Sequence, residues 1–90
     1  MNEVDVMSND MIISYLPNNQ FEVNYTDINS SKPLEISVHN ELGQQVIYNI
    51  VQSNNGHYYY DFDMSYAAPG MYLVRLGSDN YGKVKKIVVK

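Results

Sequence analysis

Asp61 and Asp63 put two carboxylates on one side of an alternating stretch, His57-Tyr58-Tyr59-Tyr60-Asp61-Phe62-Asp63-Met64. At strand spacing they stand about 7 Å apart. Such a pair suits a general acid and base, or two arms of a Ca²⁺ site. No further acid or Gly-bearing loop joins them in the sequence, so a solvated strand face is the expectation. His39 and His57 are the only imidazoles, and two His with a carboxylate form a zinc donor set. Both fall at strand ends on polar faces, which predicts surface histidines and no metal. A hydrolase triad needs a nucleophile on a strained elbow, and no Gly-x-Ser-x-Gly occurs. Tyr15, Tyr59, Tyr66 and Tyr81 could make an aromatic platform for a sugar or peptide, but ordinary strand propensity explains them as well. The chemistry-bearing residues therefore predict neither an enzyme nor a bound cofactor.

The elements that must carry these side chains are strands. No segment keeps apolar residues at helical spacing beyond two turns, whereas period-two alternation recurs between turn signals. The first strand is expected over Met11–Tyr15, ended by Pro17-Asn18-Asn19. The second spans Gln20–Thr26, with Phe21, Val23 and Tyr25 on one face. Pro33 opens a third, where Leu34, Ile36 and Val38 alternate with Glu35, Ser37 and His39; Pro is tolerated at a strand's first residue. Asn40-Glu41-Leu42-Gly43 is a short connection, with Gly43 at the positive φ that a bulged or type I turn needs.

The fourth strand, Gln44–Gln52, is expected to turn Val46, Tyr48 and Ile50 inward. Ser53-Asn54-Asn55-Gly56 is the strongest hairpin signal, because Asn-Gly fits a type I′ turn. The fifth, His57–Met64, puts Tyr58, Tyr60, Phe62 and Met64 on one face. Ala67-Ala68-Pro69-Gly70 cannot continue a ladder, and Pro69-Gly70 fits the centre of a type II turn. The sixth, Met71–Leu76, turns Tyr72, Val74 and Leu76 inward. Gly77–Gly82 makes another hairpin turn, and Lys83–Lys90 is a seventh strand with Ile87 and Val89 inward. Seven short strands at this spacing predict an all-β, Ig-like antiparallel sandwich over residues 11–90, with a small barrel as the alternative. Residues 1–10 read as a linker or N-terminal extension. The predicted core is Phe21, Val23, Leu34, Ile36, Val38, Val46, Phe62, Tyr72, Val74, Leu76 and Ile87.

Ninety residues make one domain with a thin core, burying about 60–65% of the unfolded surface. There is no Cys to brace it, and nine Tyr against no Trp suit half-wet strands. No apolar run approaches the roughly 20 residues that span a bilayer. The N-terminus lacks the apolar stretch of a signal peptide, so the chain is expected to be either cytosolic or a fragment of a longer exported protein.

Charge is divided unevenly. Residues 1–74 hold nine acids and one base, Lys32, whereas residues 75–90 hold five bases and one acid, within a net charge of −4. A small basic patch on an acidic body argues against nucleic-acid binding. Lysines on an outer strand also discourage sheet-to-sheet aggregation, so the terminal Lys run reads as edge protection, recognition, or both.

Three ordered blocks carry a family resemblance. These are Ile36-Ser37-Val38-His39-Asn40-Glu41-Leu42-Gly43-Gln44-Gln45-Val46, then Pro69-Gly70-Met71-Tyr72-Leu73-Val74, then Lys85-Lys86-Ile87-Val88-Val89-Lys90. In that order they resemble the C-terminal sorting domain of type IX (Por) secretion substrates of Bacteroidetes, over about residues 11–90. The first is similar to the family's strand-turn-strand with Leu-Gly-Gln at the bend, the second to its Pro-Gly-x-Tyr block, and the third to its terminal strand. Asp61-Phe62-Asp63-Met64-Ser65 resembles the strand ahead of the crossing loop. Two positions depart from the pattern. The family's Pro-Asn-Pro turn has Asn19 at its second Pro, and Ala67 stands where a large aliphatic residue is usual.

The resemblance implies an export address rather than a catalyst. A larger cargo domain would precede it in the same chain, pass through the periplasm, and reach the outer-membrane surface or the medium. Implied partners are the type IX translocon, its shuttle protein and, in many members, a sortase that cleaves upstream of the domain. Lys85, Lys86 and Lys90 are the expected recognition residues. Gly43, Pro69, Gly70 and Tyr72 are expected to define the fold. A final strand with free backbone groups can be read by strand addition, and lysines add steering toward an acidic receptor. The competing reading is an Ig-like adhesin or carbohydrate-binding module, with a ligand face of Tyr and Asp side chains.

Overall fold

The structure is a computed structural model and describes residues 11–79 and 82–90. The expected linker at 1–10, and Tyr81 of the suggested aromatic set, lie outside the described residues. Seven strands run in the order β1 (Ile12–Leu16), β2 (Gln20–Thr26), β3 (Leu34–His39), β4 (Gln45–Val51), β5 (His57–Asp63), β6 (Gly70–Gly77) and β7 (Gly82–Val89). They form a three-stranded sheet, β1-β2-β5, and a four-stranded sheet, β4-β3-β6-β7. All strand pairs are antiparallel, so the fold is the expected all-β sandwich.

Alternation explains the packing. In β2, Phe21, Val23 and Tyr25 are buried and face Phe62, Tyr60 and Tyr58 of β5 in register. Phe21 and Phe62 stack with ring centroids 5.3 Å apart, and Tyr25 lies against Tyr58 at 5.9 Å. The opposite layer supplies Leu34, Ile36 and Val38 from β3, Tyr72, Val74 and Leu76 from β6, and Ile87 and Val89 from β7, all buried. Each such side chain contributes about 1.5–3 kcal/mol by leaving water. Met11 and Met64 plug the space just outside strands β1 and β5 and are almost fully covered.

The fourth strand reverses the expected face. Val46, Tyr48 and Ile50 are 39%, 50% and 50% exposed, while Val51 is buried and Ile47 packs against the core. Val46 is therefore a correction to the predicted core. The cause is a single extra residue. His39 pairs with Gln45, but Val38 pairs with Ile47, so Val46 is skipped in the ladder. A bulge of one residue turns every later side chain to the other face. Without it Val46, Tyr48 and Ile50 would sit beside Val38, Ile36 and Leu34. With it those places go to Ile47, Asn49 and Val51.

Two turns also differ from expectation. Asn55 and Gly56 take φ of 55° and 84°, as a type I′ turn requires. Asn54 and His57 exchange both backbone hydrogen bonds, at 2.9 and 3.0 Å. That one bridge is all the pairing that follows, because β4 and β5 enter different sheets. The turn is a corner between layers rather than the end of a hairpin ladder. Gly70 has φ of 149°, far from the roughly +80° of a type II turn. It is the first residue of β6 and pairs with Val89.

Candidate functional site

The terminal strand β7 borders the four-stranded sheet and pairs with β6 along its whole length, from Gly77↔Gly82 to Gly70↔Val89. Ile87 and Val89 face the core, and Val84, Lys85, Lys86 and Val88 are exposed. Alternation separates the expected recognition lysines. Lys85 shares the side of Ile87 and Val89, at the rim of the layer, together with the half-buried Lys83. Lys86 lies with Val84 and Val88 on the outer face. Lys90 follows the strand. Neither Lys85 nor Lys86 has an ion-pair partner among the described residues.

Among the described residues the outer edge of β7 is closed at one end only. The Val88 N–H donates to the Tyr15 hydroxyl at 3.1 Å. The Lys90 N–H donates to Asn19 Oδ1 at 3.1 Å, and Asn19 Nδ2 donates to the Lys90 backbone oxygen at 3.0 Å. Tyr15 is held in place edge-on against Phe21, with centroids 5.0 Å apart. Asn19 sits at φ of 57° in the β1–β2 turn, a conformation Asn tolerates and proline cannot adopt. Sequence periodicity carries no trace of this clamp, since its partners are 71 and 73 residues apart. Its one visible signal is Asn19 itself, one of the two positions at which the sequence departs from the pattern it resembles.

The residues expected to define the fold do local work. Gly43 has φ of 84° in the β3–β4 turn. Asn40 Oδ1 accepts the N–H groups of Leu42 and Gln44, both at 2.9 Å, and the Gly43 N–H donates to the Asn40 carbonyl. This turn places the bulge that sets the face of β4. Tyr72, near the start of β6, donates its hydroxyl to the Ala68 carbonyl, four residues back, at 2.7 Å. That is the geometry of a tyrosine corner at the crossing between sheets. Pro69 is exposed in the same crossing.

The candidate chemical groups do not converge. Asp61 and Asp63 are both exposed, and on β2 they face Glu22 and Gln20. Hydrogen bonds from the Ser65 side chain, the Ser65 N–H and Gln20 hold the Asp63 carboxyl below its ordinary value. The Tyr59 hydroxyl donates to Glu22 at 2.8 Å, and that bond above all raises its pKa. His57 has both ring nitrogens engaged, Nδ1 with Thr26 at 3.0 Å and Nε2 with Asn24 at 3.2 Å. His39 ends β3 in the other sheet. Among the described residues no three His, Asp or Glu side chains gather as a metal site would require. Tyr15 and Tyr59 lie on opposite faces of their sheet, since Tyr15 pairs with Phe21 and Tyr59 with Asn24. They form no common platform.

Comparison with known proteins places the chain in a context. Residues 17–90 match the model of the secretion system C-terminal sorting domain. No curated protein matches the sequence. Among solved structures the fold is similar to part of a thermostable single-mutant endoglucanase from Alicyclobacillus acidocaldarius, with a TM-score of 0.66 and 16% identity. The likeness covers 91% of this chain and 15% of that enzyme. At such identity it concerns the fold alone, and this chain spans a small part of the enzyme's length.

Proposed function

The chain belongs to the secretion system C-terminal sorting domain family, the type IX class, and we propose that it steers a larger cargo protein through the type IX outer-membrane translocon by presenting β7. The family assignment implies a cargo protein handled by that machinery and exported from the cell. The finer route, with a shuttle protein in the periplasm and a sortase at the surface, is part of the proposal. The observation that carries it is the match over residues 17–90, which takes in strands β2 to β7 and so the whole of the terminal strand.

The geometry supports this reading physically. An address must fold by itself and keep something legible at its surface. The sandwich closes its core on both sides, and β7 keeps exposed lysines and part of an unpaired edge. On this reading the domain acts by recognition, not by catalysis. The test is a reporter carrying an export signal, with this domain fused at its C-terminus, produced in a type IX-competent bacterium. Reporter on the surface or in the medium supports the proposal. Reporter held in the periplasm in several such hosts contradicts it.

A further inference from the structure

The edge of β7 is divided by chemistry into two halves. Residues of like parity along a strand aim their backbone groups to the same side. Val88 and Lys90 send theirs away from β6, into Tyr15 and Asn19. Val84 and Lys86 share that parity, so their N–H and C=O groups also face outward. No partner meets them among the described residues. The open stretch begins at the Gly77–Gly82 end of the hairpin and stops at the Tyr15 bond.

Charge marks the same stretch. Lys83 and Lys85 stand on one side of it and Lys86 on the other, so a strand lying alongside would meet cations on both faces. On the outer face Val84 and Lys86 also line a shallow cleft of about 540 Å³ with Met71, Leu73 and His39. The far edge of the same sheet offers no such pattern. Strand β4, Gln45–Val51, holds no charged residue, and the Ile50 N–H is already taken by Asn49 Oδ1 at 2.8 Å.

We infer that the partner which reads this domain does so with an extended, acid-rich protein segment that adds as a strand to the open half of β7. The inference rests on the sorting reading and deepens it. The segment pairs with the backbone of Val84 and Lys86, through two N–H and two C=O groups. It sets carboxylates against Lys83, Lys85 and Lys86 and an apolar side chain beside Val84. It ends at Val88, where Tyr15 occupies the next donor. Main-chain bonds give the affinity in this mode of recognition, and the alternating side chains give the selectivity.

Proline tests the backbone claim. It removes an N–H and is tolerated where that N–H faces away from the ladder. Val84→Pro and Lys86→Pro, in the reporter fusion, should keep a cooperative thermal transition and lower surface export about tenfold or more, the scale of one or two lost interfacial hydrogen bonds. Tyr48→Pro, on the uncharged edge of β4, should export normally. Folded β7 proline variants that export like the parent overturn the inference while leaving the sorting reading intact. A parent fusion that is not exported ends the sorting reading, and the inference with it. Should either proline unfold the domain, the Lys83→Glu, Lys85→Glu, Lys86→Glu triple variant decides. Loss of export with retained folding supports the acid-rich partner, and normal export overturns it.

Discussion

Asn19 holds the backbone of Lys90 at two points, accepting its N–H at 3.1 Å and donating to its oxygen at 3.0 Å. This joins the first hairpin to the last strand, and so one sheet to the other. Each such bond has a net value of about 0.5–1.5 kcal/mol. Asn19→Ala should therefore destabilise the domain by about 1–2 kcal/mol, a fall of roughly 4–16 °C in Tm for a chain of this size. Asn19→Pro should cost more, because φ of 57° is closed to proline. Thermal denaturation followed by circular dichroism measures both, and an unchanged Tm in Asn19→Ala would show that the clamp contributes nothing.

Tyr72 and Ala68 make a second anchor. Tyr72→Phe keeps the buried ring and removes only the hydroxyl that bonds the Ala68 carbonyl. Urea unfolding should show a loss of about 1–2 kcal/mol with the m-value preserved. A change in m would mean that the crossing between sheets had itself rearranged.

Gly56 is required for two reasons at once. Its φ is 84°, and a Cβ there would lie 2.5 Å from the Ile28 Cα and 2.7 Å from the Asp27 carbonyl oxygen. Both neighbours are backbone, and the Asp27 N–H bonds the Gly56 carbonyl at 2.7 Å. Gly56→Ala should cost at least about 2 kcal/mol by strain and displacement. Gly43→Ala meets the same φ but open space, so it should cost less. Equal losses in the two variants would contradict the role given to the Asp27–Ile28 contact.

Asp63 should shape the acid limb of the stability curve. Its folded-state pKa is depressed by Ser65 and Gln20 from an ordinary 3.8. A depressed acid stabilises the fold above its unfolded value, and that contribution is lost as pH falls through the folded value. Stability should thus decline below pH 3.8, and Asp63→Asn should flatten the decline. Denaturant titrations from pH 5 to pH 2 compare the two. A parallel decline in the variant would remove Asp63 from the account.

Most of the sandwich was legible because its strands are one-sided. In Phe21-Glu22-Val23-Asn24-Tyr25 and Tyr72-Leu73-Val74-Arg75-Leu76 the register follows from which parity is more apolar and from where the turns fall. In Gln45-Val46-Ile47-Tyr48-Asn49-Ile50-Val51 both parities are apolar, so the face depends on turn geometry, and one bulged residue decided it against the apolar count. The outcome leaves Val46, Tyr48 and Ile50 exposed on β4, in the same sheet as the exposed Met71 and Leu73 of β6 and Val84 and Val88 of β7. The division of the lysines between two faces follows from the alternation in Lys85-Lys86-Ile87-Val88-Val89, but which of their backbone groups face away from the sheet appears only once β7 is paired with β6. The Tyr15 and Asn19 contacts were beyond reach, since they depend on how one sheet lies over the other.

The role proposed for this domain is that of an export address. Its most direct measurement is the ratio of surface and medium reporter to periplasmic reporter, for the fusion in a type IX-competent host and in the same host lacking the translocon. The expected result is reporter outside the competent cell, periplasmic reporter in the translocon-deficient cell, and periplasmic reporter in both when the domain is omitted. A fusion that distributes alike in the two hosts would contradict it.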